Sequence, residues 1–552
     1  MTPAKEPPPL FRHQQELFDK TRDEIAWAIL FEQGLGKTAP TIRTIEHLYR
    51  DNRIDAAVIV APNGVHRNWV SDELPRHSGV PWRGLDWHSD RAKGQDKALE
   101  KLLASTPDRR TELAYFAITY DAILTPRGRA AVLKFKDRFP RFLFVIDEAS
   151  KVRNPEAMRT KKVAALRQFA RYVRLLNGTP IGNSALDAYS QFKLLDPMFW
   201  IRHGFGSWTA FKARFAITKR IPIGGEDDRA GRGKYSHEPL VPHDATDDGI
   251  AAYEQLDLSE ILDPVEEREV SRPAPAAPTK QTIGRTIEVI VGFRELDKLK
   301  EIIAPVSTRL TKEDSGVELP PKLYSRLLFD LPTEQRRVYD QLRKEYMVEL
   351  ESGVLVTAPL ALVRVLRLQQ IACGYLPNPD DPENPKLFYN DDGKNARLQL
   401  LLDRLEDTPH QAIIWARFTH DVDSICRALG PPKCTRYDGL VSQKERDAGL
   451  DQFKQGKKKF CVAKAASMGM GLSLPMAKSV FYYSNDFSYI NRLQSEDRAH
   501  RLVGGGLGAV CYYDIVASHT VDAKILRSLQ ECADVANKIT GDRYRSWLVE
   551  ET

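Results

Sequence analysis

The sequence predicts an α/β protein built as two parallel-sheet lobes, and three observations carry that reading. An apolar run, Ile25 to Leu30, enters the glycine-rich turn Phe31-Glu32-Gln33-Gly34-Leu35-Gly36-Lys37-Thr38 and leaves it as an amphipathic helix, Thr41 to Tyr49. Further short apolar runs follow, each giving way to polar residues. A second alternation of strand-like and helix-like stretches starts at Gln411 and contains no second turn of this kind. Buried strands alternating with helices make parallel sheets. One such turn for two sheets predicts a single ligand site shared between them.

At 552 residues the chain exceeds one ordinary core, and several structural units are expected. No apolar run approaches the roughly 18 residues that cross a bilayer, and the proline-rich start, Met1 to Pro9, lacks the features of an export signal. The expectation is a cytoplasmic protein with no membrane partner. The six cysteines, Cys373, Cys426, Cys434, Cys461, Cys511 and Cys532, form no C-x-x-C pair, so neither a zinc ribbon nor a disulfide framework is indicated. A net charge of +6, from 81 basic and 75 acidic residues, allows a polyanionic partner without demanding one.

The turn has the chemistry of a phosphate cradle. Gly34 and Gly36 let backbone N–H groups turn toward an anion, and the helix behind them adds its positive end. Lys37 would neutralise phosphate charge and the Thr38 hydroxyl would hold Mg²⁺. Phe31 stands where the strict phosphate-loop pattern has its first glycine. One helix upstream, Gln14 offers an amide suited to an adenine edge.

Ala56 to Ala61 is the next strand, followed by Arg67, Asn68 and Trp69 at the carboxyl edge where α/β proteins bind ligands. Trp69 reads as a core residue under the helix it begins. Ala114 to Thr119 repeats the pattern. Phe142 to Ile146 then runs directly into Asp147 and Glu148, presenting two carboxylates at a strand tip. Asp147 could hold Mg²⁺ and Glu148 could activate water. Paired acids about 110 residues after a phosphate loop are the ATPase arrangement. Leu175-Leu176 opens into Asn177-Gly178-Thr179-Pro180, placing a hydroxyl near a γ-phosphate position.

In order and spacing, Gln14, Glu32 to Thr38, Asp147 to Asn154 and Asn177 to Asn183 resemble the first lobe of the SWI/SNF-type DNA translocases of helicase superfamily 2. Ser150, Arg153, Asn177 and Gly182 depart from the family pattern. In the second half, Ser467-Met468-Gly469-Met470-Gly471-Leu472 resembles the family's glycine-rich turn, and Gln494-Ser495-Glu496-Asp497-Arg498-Ala499-His500-Arg501 is close to its Q-x-x-D-R-x-H-R. Arg498 and Arg501 are three apart, so both point to one helix face and could reach across a cleft to the γ-phosphate.

The resemblance implies two RecA-like lobes with helical protrusions between them, using ATP and Mg²⁺. It also implies Arg67, Asn68, Asn154, Thr179, Phe418, Ser467 and Met468 as nucleic-acid contacts, double-stranded DNA, forked or branched forms included, as the track, a monomer as the working unit, and a short bacterial or phage form. The expected division is a first lobe over 1–200, a linker and protrusion over 201–330 with an acidic and proline-rich insertion near 221–285, a helical protrusion over 331–390, and a second lobe over 391–552. Acids outnumber bases by about two to one in that insertion, which reads as mobile with a short helix around Tyr253 to Leu262. Three readings stay open on the sequence: a duplex translocase, a strand-separating helicase or restriction-type motor sharing every motif, and a scaffold that binds nucleotide as a switch.

Overall fold

The structure is a computed structural model that describes residues 6–87, 92–104, 112–178, 184–223, 285–316, 320–351, 358–378, 381, 384–390, 393–465, 474–500 and 508–540. Its strands are β1 (Ala26–Phe31), β2 (Ala56–Ala61), β3 (Trp82–Trp87), β4 (Leu113–Thr119), β5 (Phe142–Asp147), β6 (Tyr172–Leu176), β7 (Ala216–Ile223), β8 (Arg285–Phe293), β9 (Ser307–Leu310), β10 (Lys322–Phe329), β11 (Tyr375–Leu376), β12 (Lys386–Leu387), β13 (Ala412–Trp415), β14 (Cys434–Tyr437), β15 (Phe460–Ala463), β16 (Ser479–Tyr482) and β17 (Val510–Ala517). Two wholly parallel sheets define the lobes, with strand orders β3-β4-β2-β5-β6-β1-β9 and β10-β17-β16-β13-β15-β14.

The first sheet follows from its apolar composition. Every residue of β2, β4, β5 and β6 is buried. Along β1, Trp27, Ile29 and Phe31 join one core cluster while Ala28 and Leu30 join the other, so helices cover both faces. The helix Thr38–Arg50 lays Ile42, Ile45 and Leu48 on the first of these faces. Because all strands run one way, Phe31, Asp147 and Leu176 end on the same edge.

The expected boundary at 201–330 is redrawn by pairing. β9 lies in that stretch yet completes the first sheet, with Ala28 opposite Ser307 and Phe31 opposite Leu310. β10 lies in it too, and forms the edge of the second sheet along the whole length of β17. β7 and β8 form an antiparallel ribbon with Arg220 opposite Glu288, so residues 221–223 and 285 of the expected insertion belong to strands. The rest of it, including the short helix expected at Tyr253 to Leu262, lies outside the described residues. The stretch expected as a helical protrusion, 331–390, contains the helices Thr333–Glu351 and Ala358–Ala372. The last helix, Val521–Thr540, packs against Leu296–Ile303 and Ala358–Ala372, and its Ile525 and Leu529 share one core cluster with Leu186 and Phe192 of the first lobe.

Candidate nucleotide site between the lobes

The phosphate-loop backbone turns at Gly34 (φ 93°) and Gly36 (φ 71°), a conformation that glycine adopts without a Cβ penalty. A Cβ on Gly36 would also sit 2.3 Å from Gln14 Nε2. That closeness shows what Gln14 does here. Its Nε2 donates to the Gly36 carbonyl at 3.0 Å and its Oε1 accepts from the Phe11 N–H at 3.0 Å. Both ends of the amide expected at an adenine edge are thus engaged with backbone, and Gln14 braces the loop. Lys37 closes the loop from within, its Nζ donating to the Phe31 carbonyl at 3.0 Å. Thr38 opens the helix that follows.

The two acids stand opposite. Asp147 and Glu148 are 6% and 8% exposed. Asp147 Oδ2 accepts from the Trp69 indole at 2.8 Å, its Oδ1 from the Glu148 N–H at 2.9 Å, and its carbonyl from the Tyr120 hydroxyl at 2.7 Å. Trp69 is therefore more than the core residue its sequence suggested. Glu148 sits in the left-handed region, φ 51°, which swings the chain off the strand end. Its Oε1 accepts from Gln33 Nε2 at 3.4 Å. Burial raises both carboxyls, opposed by Lys37 and, for Asp147, by the Trp69 bond. Burial lowers the Lys37 ammonium, opposed by the charges of Glu148 and Asp147. Gly178 completes the wall, where a Cβ would come within 3.0 Å of Gln33 Cγ and 3.6 Å of Lys37 Nζ.

The second lobe enters through the helix Tyr489–Ala499, started by the Ser488 hydroxyl accepting from the Asn491 N–H. Its Arg498 is 2% exposed, and its charge acts on Glu148 in the other lobe. Arg309, from β9, donates to the carbonyls of Leu30 at 2.7 Å and Gly178 at 3.0 Å, tying two strand ends of the first lobe together. A buried lysine, two buried carboxylates and an arginine from the facing lobe suit a Mg²⁺-bound triphosphate.

Of the other expected residues, Glu32, Gln33 and Leu35 lie in the loop, and the Leu35 carbonyl accepts from Gln14 Nε2 at 3.3 Å. Arg67 and Asn68 are exposed on the short helix after β2. Asn154 is exposed beyond the turn after β5, its Oδ1 accepting from the Glu156 N–H at 2.9 Å. Since β2 and β5 are neighbours, these three share one edge. Phe418 does not fit its expected contact with nucleic acid. It is 4% exposed, packed against Tyr375 and part of the core, because the residue that starts its helix faces inward. Thr179, Ser467, Met468 and Arg501 lie outside the described residues. Sequence reasoning missed the roles of Trp69, Tyr120, Arg309 and Lys312. Only the Arg and Lys in Ser307 to Lys312 carried a signal, as two charges in a short joining segment of hydroxyl residues and one leucine.

This fold and site define a two-lobed ATPase core of helicase superfamily 2. Residues 21–255 match the SNF2-related domain and residues 393–503 match the helicase conserved C-terminal domain. The chain thus carries the SWI/SNF-type ATPase core. It is 23% identical over 524 residues to the lymphoid-specific helicase of Homo sapiens, covering 90% of this chain and 58% of that protein. It is 23% identical over 556 residues to Protein CHROMATIN REMODELING 4 of Arabidopsis thaliana, 94% of this chain and 20% of that one. Against the transcription regulatory protein SNF2 of Saccharomyces cerevisiae the figures are 22% over 529 residues, 92% and 26%. The chain therefore spans between 20% and 58% of the length of these curated relatives. Among solved structures, the Sulfolobus solfataricus SWI2/SNF2 ATPase core in complex with dsDNA is 20% identical with a TM-score of 0.36, covering 98% of this chain and 95% of that one. Among the described residues no helix is long and apolar enough to cross a membrane.

Proposed function

We propose that the protein is an ATP-dependent translocase on double-stranded DNA whose ATP hydrolysis is stimulated by that DNA. The observation that carries this is that Arg498, buried on the second lobe, contributes its charge to the field at Glu148, buried on the first. A hydrolytic carboxylate that feels a cation from a separate sheet makes turnover depend on how the lobes meet, and anything gripping both lobes then controls the rate.

On this reading Gln14 holds the loop formed by Glu32 to Lys37 in its binding shape, and Lys37 meets the β and γ phosphates. Mg²⁺ held from Thr38 and Asp147 would supply charge neutralisation between the phosphoryl oxygens. Glu148 orients and deprotonates the attacking water, while Arg498 and Arg501 offset charge as the phosphate leaves. Arg67, Asn68 and Asn154 line the edge offered to a DNA backbone, with Thr179, Ser467 and Met468 as further contacts by resemblance. Phosphate contacts without base readout make binding sequence-tolerant and salt-sensitive. The working unit on this reading is a monomer acting in the cytoplasm, with forked or branched duplex among its tracks and protein–DNA complexes among its targets.

The test is the ATP turnover rate with no nucleic acid and with single-stranded DNA, duplex, forked duplex and RNA. Strong stimulation by duplex, with triplex displacement but little strand separation, is expected. Equal turnover with and without every substrate would overturn the translocase reading, and efficient unwinding of a fork would replace it with a helicase.

A further inference from the structure

The segment between the lobes is threaded along the site. β9 runs parallel to β1 up to the phosphate loop, where the Glu32 N–H donates to the Leu310 carbonyl at 2.9 Å and the Lys312 N–H donates to Glu32 Oε2 at 2.8 Å. From that anchor the Lys312 side chain crosses to the second lobe. Its Nζ donates to Asp497 Oδ1 at 2.8 Å and to the His500 carbonyl at 3.4 Å. Both charged side chains are over nine-tenths buried, at 6% and 8% exposure. The same segment meets this helix end twice more, through Pro320, whose carbonyl bonds His500 Nε2 at 2.9 Å, and through Lys322, whose Nζ donates to Glu496 Oε2 at 2.7 Å.

A buried ion pair is a poor source of net stability, because desolvation of both charges offsets most of their attraction. What it fixes well is register. Here the register concerns Asp497, the neighbour of Arg498, and Glu32, a member of the phosphate loop. Burial alone would raise the Asp497 carboxyl, and the Lys312 and Lys322 charges outweigh it and hold it below the usual carboxylate range. The Asp497 carboxylate is therefore charged as it stands. Lys312 is the one residue described here that bonds the loop through its backbone and the arginine-bearing helix through its side chain.

We infer that Lys312 is a positioning residue that transmits the state of the phosphate loop to the arginine-bearing helix, by linking Glu32 to Asp497 and so setting the approach of Arg498. The inference rests on the proposed ATPase reading and adds to it the element through which the two halves of the site are coupled. Losing the link leaves each half intact and displaces one from the other. A misplacement of about 1 Å at a reacting centre costs on the order of 100-fold in rate.

The experiment is steady-state ATP turnover of the full chain with saturating duplex DNA, for wild type, Lys312→Met, Lys312→Arg, Asp497→Asn and the double variant Lys312→Met/Asp497→Asn, with melting temperatures alongside. The expected result for Lys312→Met is a kcat lower by roughly 10- to 100-fold with KM for ATP within about 2-fold, and partial recovery in Lys312→Arg. The double variant carries no unpaired buried charge, so it should melt near wild type, and it should still turn over as slowly as the slower single variant. A double variant with wild-type kcat would reduce Lys312 to a structural pair and overturn the inference. So would Lys312→Met with unchanged kcat beside an active wild type. A wild type that turns over no ATP, with or without duplex, defeats the ATPase reading itself, and the inference with it.

Discussion

The Trp69 indole donates to Asp147 Oδ2 at 2.8 Å in the buried floor of the site. It sets the direction of the carboxylate that the proposed Mg²⁺ would meet and, with Lys37, offsets the effect of burial on it. Trp69→Phe keeps the ring in the core and removes only the donor. Hydrogen bonds to charged groups contribute about 1.5–3 kcal/mol, so kcat at limiting Mg²⁺ should fall roughly 10- to 100-fold. A Mg²⁺ titration of turnover checks this, and the loss should shrink as Mg²⁺ is raised.

Lys37→Ala and Glu148→Gln should both abolish turnover by different routes. The first removes the cation inside the loop and weakens ATP binding. The second is close to isosteric, keeps an acceptor for Gln33 and removes the base, so ATP should stay bound without being hydrolysed. Equilibrium binding of labelled ATP beside a phosphate-release assay separates the two. Appreciable release by Glu148→Gln would remove the water-activating role.

Arg498→Ala should spare ATP binding while lowering kcat by roughly 10³-fold or more, the scale of arginines supplied across an interface. Arg501→Ala is expected to behave alike. A variant that loses binding instead would place these arginines in ground-state recognition, and comparison of Kd with kcat decides it.

Asp421 gives a pH prediction away from the nucleotide. It is 1% exposed at the start of the helix Thr419–Leu429, its Oδ2 accepting from the Ser484 hydroxyl at 2.9 Å, and burial pushes its carboxyl up to about 7. The folded value lies above the unfolded one. The stability this group contributes is therefore full below about pH 4 and is lost as the pH rises through about 7. Asp421→Asn removes that loss. The variant should gain on wild type as pH rises from 4 to 7, by about 4 kcal/mol at most, and hold the gain above. Urea melts at pH 5 and pH 8 measure it, and an equal difference at both would refute the buried-carboxyl assignment.

How much was legible in the sequence depends on where each residue finds its partner. β2 and β5 lie where their apolar runs put them, at Ala56–Ala61 and Phe142–Asp147, since wholly buried strands need only composition. The loop and the acid pair were legible for a related reason, as glycine, lysine and carboxylates act through short local stretches. β9 was not, because Ser307-Thr308-Arg309-Leu310 is short and mostly polar and becomes a strand only by lying beside β1. Gln14 and Trp69 show the same limit for side chains. Each sits in a recognisable place, but whether an amide meets a ligand or a loop carbonyl, or an indole meets core or carboxylate, is settled by residues far along the chain. Phe418 failed for the opposite reason, as an aromatic beside polar residues reads as available and is in fact covered.

The placement of β9 bears on how the molecule is made. During synthesis the strand that leads into the phosphate loop emerges early, but its neighbour on the open side arrives only after residue 307, with the whole 224–284 stretch in between. Until then β1 is a bare sheet edge, the kind of surface that pairs with other chains. A nascent chain or a truncation that stops before Leu310 therefore carries an unfinished front lobe prone to self-association.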